Sequence, residues 1–244
     1  MGPQVVIEIE GLTVHFGGVT SIDRMSVSFG EGSNGLIGPN GAGKTTFFNV
    51  LSGFVTPAAG RILAFGDDLS QIPSFRRARW GIRRTFQTEQ AIETLTVYDN
   101  VLTVYENTTA GGRKRAKQAV MEALDLVGLT DVAHSRVRSL GVRERRFVEV
   151  ARAVVGTPKL VLLDEPGAGL PEEETEVLAQ AIRQIPERVG ATVILVEHDM
   201  SLVQSCCTNT AVLDFGRLIA SGPTGEVLRD RGVMEAYLGV GDVP

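Results

Sequence analysis

Gly38-Pro39-Asn40-Gly41-Ala42-Gly43-Lys44-Thr45-Thr46 decides how this chain is read. Residues 38–45 fit the pattern Gly-x-x-x-x-Gly-Lys-Ser/Thr, and the flanks supply the context that the pattern needs. Asn34-Gly35-Leu36-Ile37 reads as a strand leading in, and Phe47, Phe48, Val50 and Leu51 follow at helical spacing until Gly53 closes the run. Strand, glycine loop and helix together make a phosphate cradle. Glycines let the backbone N–H groups turn toward phosphate oxygens, Lys44 brings charge to the β and γ positions, Thr45 offers a hydroxyl to Mg2+, and the helix N-terminus adds its dipole. Gly38, Pro39, Asn40, Gly41, Ala42, Gly43, Lys44, Thr45 and Thr46 are the nucleotide-binding residues expected from this pattern.

Two later apolar runs end in chemistry of their own. Leu160-Val161-Leu162-Leu163 runs into Asp164-Glu165-Pro166, and Thr192-Val193-Ile194-Leu195-Val196 runs into Glu197-His198-Asp199. A parallel sheet would bring these strand ends to the same carboxyl edge as the glycine loop. Asp164 would then hold Mg2+ through water, Glu165 would take a proton from an attacking water, and His198 would bond the γ-phosphate or orient the nucleophile. Alone, Asp-Glu-Pro is more often a cap or turn and a single histidine more often structural. The upstream loop reverses both readings.

Working outward, Val5, Ile7 and Ile9 alternate as a strand, with a turn expected at Gly11 and a second strand near Leu12 to Phe16; Met25, Val27 and Phe29 alternate likewise. From about Pro73 to Leu129 the character is helical, with Tyr98 to Tyr105 and Arg113 to Val127 as helices separated by Gly111-Gly112. Helices are also expected from Arg143 to Val155 and from Pro171 to about Val189. The apolar strands between them predict an α/β protein with a parallel sheet covered on both faces.

Composition bounds the rest. At 244 residues, 43% hydrophobic and 22% charged, the chain is long enough for a substantial core and excludes a disordered or disulfide-stapled scaffold. A net charge of −5 argues against whole-chain attraction to nucleic acid. No apolar run reaches the ~18–20 residues that span a bilayer, and the stretch Met1 to Glu10 lacks a basic leader, so a cytoplasmic location is expected. Cys206 and Cys207 are adjacent, a poor pair for a structural disulfide, and are expected reduced. Three basic clusters, Arg76-Arg77-Arg79 with Arg83-Arg84, Arg113-Lys114-Arg115-Lys117, and Arg143-Arg145-Arg146, are expected to be solvated helix faces. Contact with acidic loops of a membrane partner or lipid headgroups is the alternative for the first two, and nucleic acid the remaining one.

Taken together, these residues resemble the ATP-binding cassette (ABC) proteins along essentially the whole chain. The resemblance implies an α/β P-loop nucleotide-binding domain, single over 1–244, with a β-rich antiparallel N-terminal part, a RecA-like core at 1–87 and 157–222, an inserted helical subdomain at about 88–156 and a helical tail at 223–244. It implies that Lys44 and Thr45 belong to the Walker A loop, Asp164 to Walker B, Glu165 to catalysis and His198 to the switch position. Gln87, in Thr85-Phe86-Gln87, would be the Q-loop glutamine that reaches Mg2+ and the attacking water while its loop touches a membrane subunit. Phe16, before Gly17-Gly18, would stack on adenine, with a plain edge aromatic as the alternative. Arg84-Thr85-Phe86-Gln87, Val196-Glu197-His198-Asp199-Met200 and Ala236-Tyr237-Leu238-Gly239 are similar to the ATP-binding subunits of branched-chain amino-acid, amide or urea importers. ATP and Mg2+ are the implied cofactors. The implied partners are a second ABC ATPase subunit, membrane permeases and, indirectly, a substrate-binding protein, on the inner face of the cell membrane and without nucleic acid.

The chain departs from the family in two places. The signature Leu-Ser-Gly-Gly-Gln falls, counting back from Glu149-Val150-Ala151-Arg152, on Leu140-Gly141-Val142-Arg143-Glu144. In a head-to-tail cassette dimer that segment caps the phosphate bound to the opposite chain, and here side chains crowd it and a carboxylate opposes it. The loop after Walker B has Pro171 where Asp or Asn is usual. Elements that serve the chain's own nucleotide are intact, whereas those that serve a neighbour's are altered, so a heterodimer is expected. Arg143 as a different phosphate contact is the alternative. Three other classes stay in view. They are an ATP-binding regulatory partner with little hydrolysis, a non-transport ABC ATPase acting on ribosomes or DNA, and a P-loop GTPase or kinase, for which no Asn-Lys-x-Asp motif exists.

Overall fold

The computed structural model describes residues 4–238. They fall into two compact units, one running to Arg77 and resuming at Ile194, the other spanning Ala78–Val193.

In the first unit, β1 (Val5–Phe16) and β2 (Val19–Gly30) pair antiparallel, with Ile7, Ile9, Met25, Val27 and Phe29 buried in alternation as their period-two spacing dictates. The expected turn at Gly11 is instead a bulge. Gly11 takes φ 57, its N–H reaches Ser26 Oγ at 2.9 Å, and the register slips between Ile9 and Leu12 while β1 continues as one strand. A left-handed glycine absorbs the extra residue without ending the ladder. The wholly buried β3 (Ser33–Ile37) leads through the glycine loop into α1 (Lys44–Ser52), which stops at left-handed Gly53. β4 (Ala59–Ala64) and β5 (Asp67–Asp68) complete a sheet of order β2-β1-β4-β5, and α2 (Ser74–Trp80) carries the chain onward. Phe47 and Phe48 on α1 are fully buried, Phe47 with its ring 6.0 Å from that of Phe29. Each such burial contributes roughly 1.5–3 kcal/mol, which anchors the helix behind the loop.

The second unit holds β6 (Ile82–Arg84), α3 (Val97–Thr108), α4 (Arg113–Leu126), α5 (Val142–Val154), β7 (Leu160–Asp164) and α6 (Glu172–Val189). The helices stand where apolar periodicity predicts them; Thr96 caps α3, its Oγ1 accepting the Asp99 N–H at 3.0 Å. β6 interrupts the stretch read as helical from Pro73. It pairs parallel to β7, Ile82 opposite Leu160 and Arg84 opposite Leu162. Two arginines in three residues carry no strand signal, and the pairing with β7 overrides local propensity.

β8 (Thr192–Val196) returns the chain to the first unit, where α7 (Met200–Cys206), β9 (Asn209–Asp214), β10 (Arg217–Pro223), α8 (Thr224–Val227) and α9 (Arg231–Leu238) follow. β3 pairs parallel with β9, and β9 antiparallel with β10. Gly239, the last residue of the tail motif, and residues 240–244 lie outside the described residues. Cys206 and Cys207 are buried free thiols, 3.9 Å apart at sulfur; the Cys206 thiol and burial push the Cys207 thiol well above its ordinary range. Among the described residues, no helix is long and apolar enough to cross a membrane.

Candidate active site

In the first unit, the glycine loop owes its path to positions where only glycine fits. Gly38 has φ 152, and a Cβ there would run into the Leu213 carbonyl oxygen; Gly43 has φ 104, with a Cβ 2.7 Å from the Ser21 carbonyl oxygen. Lys44 is 6% exposed and folds back over the loop, donating from Nζ to the carbonyl oxygens of Gly38 at 2.6 Å and Pro39 at 3.0 Å. No acidic residue stands in the first turn of α1, so the positive end of the helix is left to a ligand. Thr46 is tied to Ser21, hydroxyl to hydroxyl, at 2.7 Å, while Thr45 is exposed beside it. Phe16, half exposed, sits at the tip of the β1–β2 hairpin opposite Val19. His198 is exposed just beyond β8; its backbone N–H donates to Glu197 Oε2 at 3.0 Å, and Asp199 caps α7 through Oδ1 to the Ser201 N–H at 2.8 Å.

In the second unit, Asp164 is the last residue of β7 and Glu165 the first beyond it. Asp164 is 2% exposed; its N–H donates to Thr85 Oγ1 at 2.9 Å, and its Oδ2 accepts from Arg84 Nη2 at 2.8 Å. Glu165 holds φ 50, a left-handed conformation that costs a non-glycine residue roughly 1–2 kcal/mol and turns the chain sharply off the strand. Gln87 Nε2 donates to Glu165 Oε1 at 3.0 Å, so the weak glutamine signal and the strong carboxylate signal meet. Arg146 on α5 donates to the Gln87 carbonyl at 3.2 Å, and Glu149 Oε1 accepts both the Gln90 N–H at 2.8 Å and Arg152 at 3.1 Å. The glutamine stretch is thus moored to α5. A magnesium ion needs few protein ligands and favours hard oxygen, of the kind that the Asp164 carboxylate offers.

The altered segment lies at the start of α5. Gly141 is the N-cap with an ordinary φ of −72 and no side-chain cap, and Val142 is 60% exposed. Glu144 folds back over this helix end, its Oε2 lying 2.8 Å from where a Gly141 Cβ would stand. Arg143 is half-buried with its guanidinium 5.3 Å from the Phe147 ring centroid, and Arg145 Nε donates to the Leu140 carbonyl at 3.1 Å. Pro171 is the N-cap of α6 without a side-chain acceptor, and Glu172, Glu173 and Glu174 occupy the first turn.

Two of the basic clusters are only in part the solvated faces that their charge suggests, Arg76 and Arg79 being exposed. Arg77 donates to the carbonyls of Leu51 at 2.7 Å and Leu69 at 2.9 Å, Arg79 to that of Asn107 at 2.9 Å, and Arg84 is buried against Asp164. Carbonyls in the last turns of α1 and α3 draw in Arg77 and Arg79, and a carboxylate draws in Arg84. Arg113, Lys114, Arg115 and Lys117 on α4 are exposed as expected. Sequence reasoning missed that Arg84 holds Asp164 and that Arg146 and Glu149 moor the glutamine stretch, because each pairs with a residue 59 to 80 positions away.

A glycine cradle at a strand–helix junction, with a strand-end Asp-Glu pair in the same chain, defines a P-loop ATPase. Residues 22–168 match the ABC transporter family, and residues 217–243 match the family described as branched-chain amino acid ATP-binding cassette transporter. The chain belongs to the ABC transporter family and is an ATP-binding, ATP-hydrolysing transporter subunit. It is 34% identical to the high-affinity branched-chain amino acid transport ATP-binding protein BraF of Pseudomonas aeruginosa, over 96% of this chain and 98% of that one. It is 33% identical to LivG of Escherichia coli, described in the same words, over 97% and 98%. Among solved structures, the ADP conformation of MJ1267, an ATP-binding cassette of an ABC transporter, matches with a TM-score of 0.86 and 25% identity, over 97% of this chain and 99% of that one.

Proposed function

We propose that this chain drives uptake of branched-chain or chemically similar amino acids, or amides, through separate membrane permeases, from the inner face of the membrane. We read it as a single functional ATPase domain, with the helical stretch at about 88–156 serving the permease. The observation that carries this reading is an intact glycine loop, Gly38–Thr46, joined in one chain to a C-terminal segment of the branched-chain amino acid type at 217–243. The names of BraF and LivG support the solute class.

In this reading the loop N–H groups and Lys44 grip the β- and γ-phosphates, and Phe16 stacks on the base. Lys44 must leave the Gly38 and Pro39 carbonyls to do so, exchanging neutral acceptors for anionic ones. Thr45, Asp164 and Gln87 would hold Mg2+ or its waters, and the ion would supply positive charge to offset that developing on the phosphates. Glu165 takes the proton of the attacking water, Gln87 adjusts its carboxylate, and His198 bonds the terminal phosphate. Reconstitution of the chain with its permeases tests the reading. ATP turnover should rise with solute-loaded binding protein, and Glu165→Gln should stop turnover but not ATP binding.

We infer a heterodimer from the altered α5 end. A helix N-terminus covered by its own glutamate is a poor cap for a neighbour's phosphate, so this chain's ATP would be completed by a partner's intact signature. An ATP-binding partner with little hydrolysis is the competing reading, favoured by the same segment; phosphate release by the assembled complex separates them.

A further inference from the structure

The carboxylate assigned to Mg2+ already has a cation of its own. Arg84 and Asp164 form an ion pair at 2.8 Å, with side chains 6% and 1% exposed. The guanidinium is steadied by Phe86, whose ring centroid lies 5.0 Å from Arg84 Cζ. The same short segment supplies the Thr85 hydroxyl to the Asp164 N–H and the Gln87 amide to Glu165. Residues 84–87 therefore hold both members of the Asp164-Glu165 pair. A buried carboxylate matched by a guanidinium is stable as it stands, whereas removing one partner leaves a charge that some other cation must meet.

We propose that Arg84 is a positioning residue that keeps Asp164 oriented before nucleotide arrives, and that it competes with Mg2+ for this carboxylate. The metal then engages mainly when nucleotide phosphates bring it, which keeps the hydrolytic carboxylates quiet in the empty protein. This rests on the assignment of Asp164 to Mg2+ above.

The test is a Mg2+ titration of the binding of a fluorescent non-hydrolysable ATP analogue to the full chain, with analogue affinity also measured in EDTA. Arg84→Gln should lower the Mg2+ concentration at half-effect by about tenfold, since the metal then meets an otherwise unmatched charge. Affinity in EDTA should stay unchanged, an outcome that a general loss of structure would not give. Arg84→Lys keeps the charge but loses the planar fork, so it should shift the half-point the same way by about threefold, and it decides the matter if the glutamine variant does not fold. An unmoved or raised half-point in the folded variant overturns the proposal. Asp164→Asn distinguishes the parent reading: if it leaves the wild-type Mg2+ dependence intact, the assignment of Asp164 fails, and the role of Arg84 with it.

Discussion

Two helix N-termini in this chain are entered alike, through glycine, and furnished in opposite ways. At α1 a glycine-lined turn leads into a helix whose first turn has no acid. At α5 a glycine also precedes the helix, but Glu144 in the first turn folds back over the end. The positive end of a helix attracts any anion within reach, and what decides its use is whether the chain supplies one itself. One end is open, with no carboxylate of its own, and the other has a carboxylate beside it.

The largest effect should come from the open end. Lys44→Ala should weaken ATP binding by about 100-fold or more, measured by equilibrium titration, because the phosphates lose their charged donor. Retained affinity would remove the distinction between the two ends. Next, backbone constraint separates the glycines. Gly38→Ala should cost about 2 kcal/mol or more in urea unfolding, since its Cβ meets backbone, while Gly141→Ser should change stability by only a few tenths of a kcal/mol. Equal costs would mean that the two loops are constrained alike.

A smaller contrast lies within β6. Arg84 has Asp164, whereas Arg83, 5% exposed, makes a 3.4 Å bond to the Ile82 carbonyl, and burial lowers its pKa to about 10. A cation whose folded pKa is depressed carries its penalty at neutral pH and loses it as pH rises through 10. Arg83→Met should therefore stabilise the chain by roughly 1–2 kcal/mol at pH 7 in thermal unfolding, with the gain shrinking toward pH 11. A loss of stability would show that Arg83 has a matched environment after all. The smallest change expected is in the assembled complex. Replacing Gly141-Val142-Arg143-Glu144 by Ser-Gly-Gly-Gln should raise ATP turnover about twofold, as a second site becomes competent. Unchanged turnover would mean that Glu144 does not close this end.

What was legible in sequence was whatever depends on neighbours along the chain. The glycine loop with its strand and helix, the strand-end Asp164-Glu165, and helices α3 to α6 all announce themselves by local spacing or apolar period. β6 did not, because two arginines in a three-residue strand make sense only once β7 lies beside it and Asp164 meets Arg84. The bulge at Gly11 looked like a turn because a left-handed glycine serves either purpose, and the ladder across β2 chooses.

Sequence alone determined that this chain binds a nucleotide's phosphates, since the backbone freedom of glycine and the charge of Lys44 are properties of the residues themselves. It also determined that the segment from Gly141 to Glu144 departs from the family pattern. Tertiary structure decided where charge is matched: Arg84 on Asp164, Gln87 on Glu165, Glu144 over the end of α5. An ion pair or hydrogen bond between residues eighty positions apart has no local signature. It exists because burial makes an unmatched charge costly, and only the folded chain specifies which cation comes within 3 Å of which carboxylate.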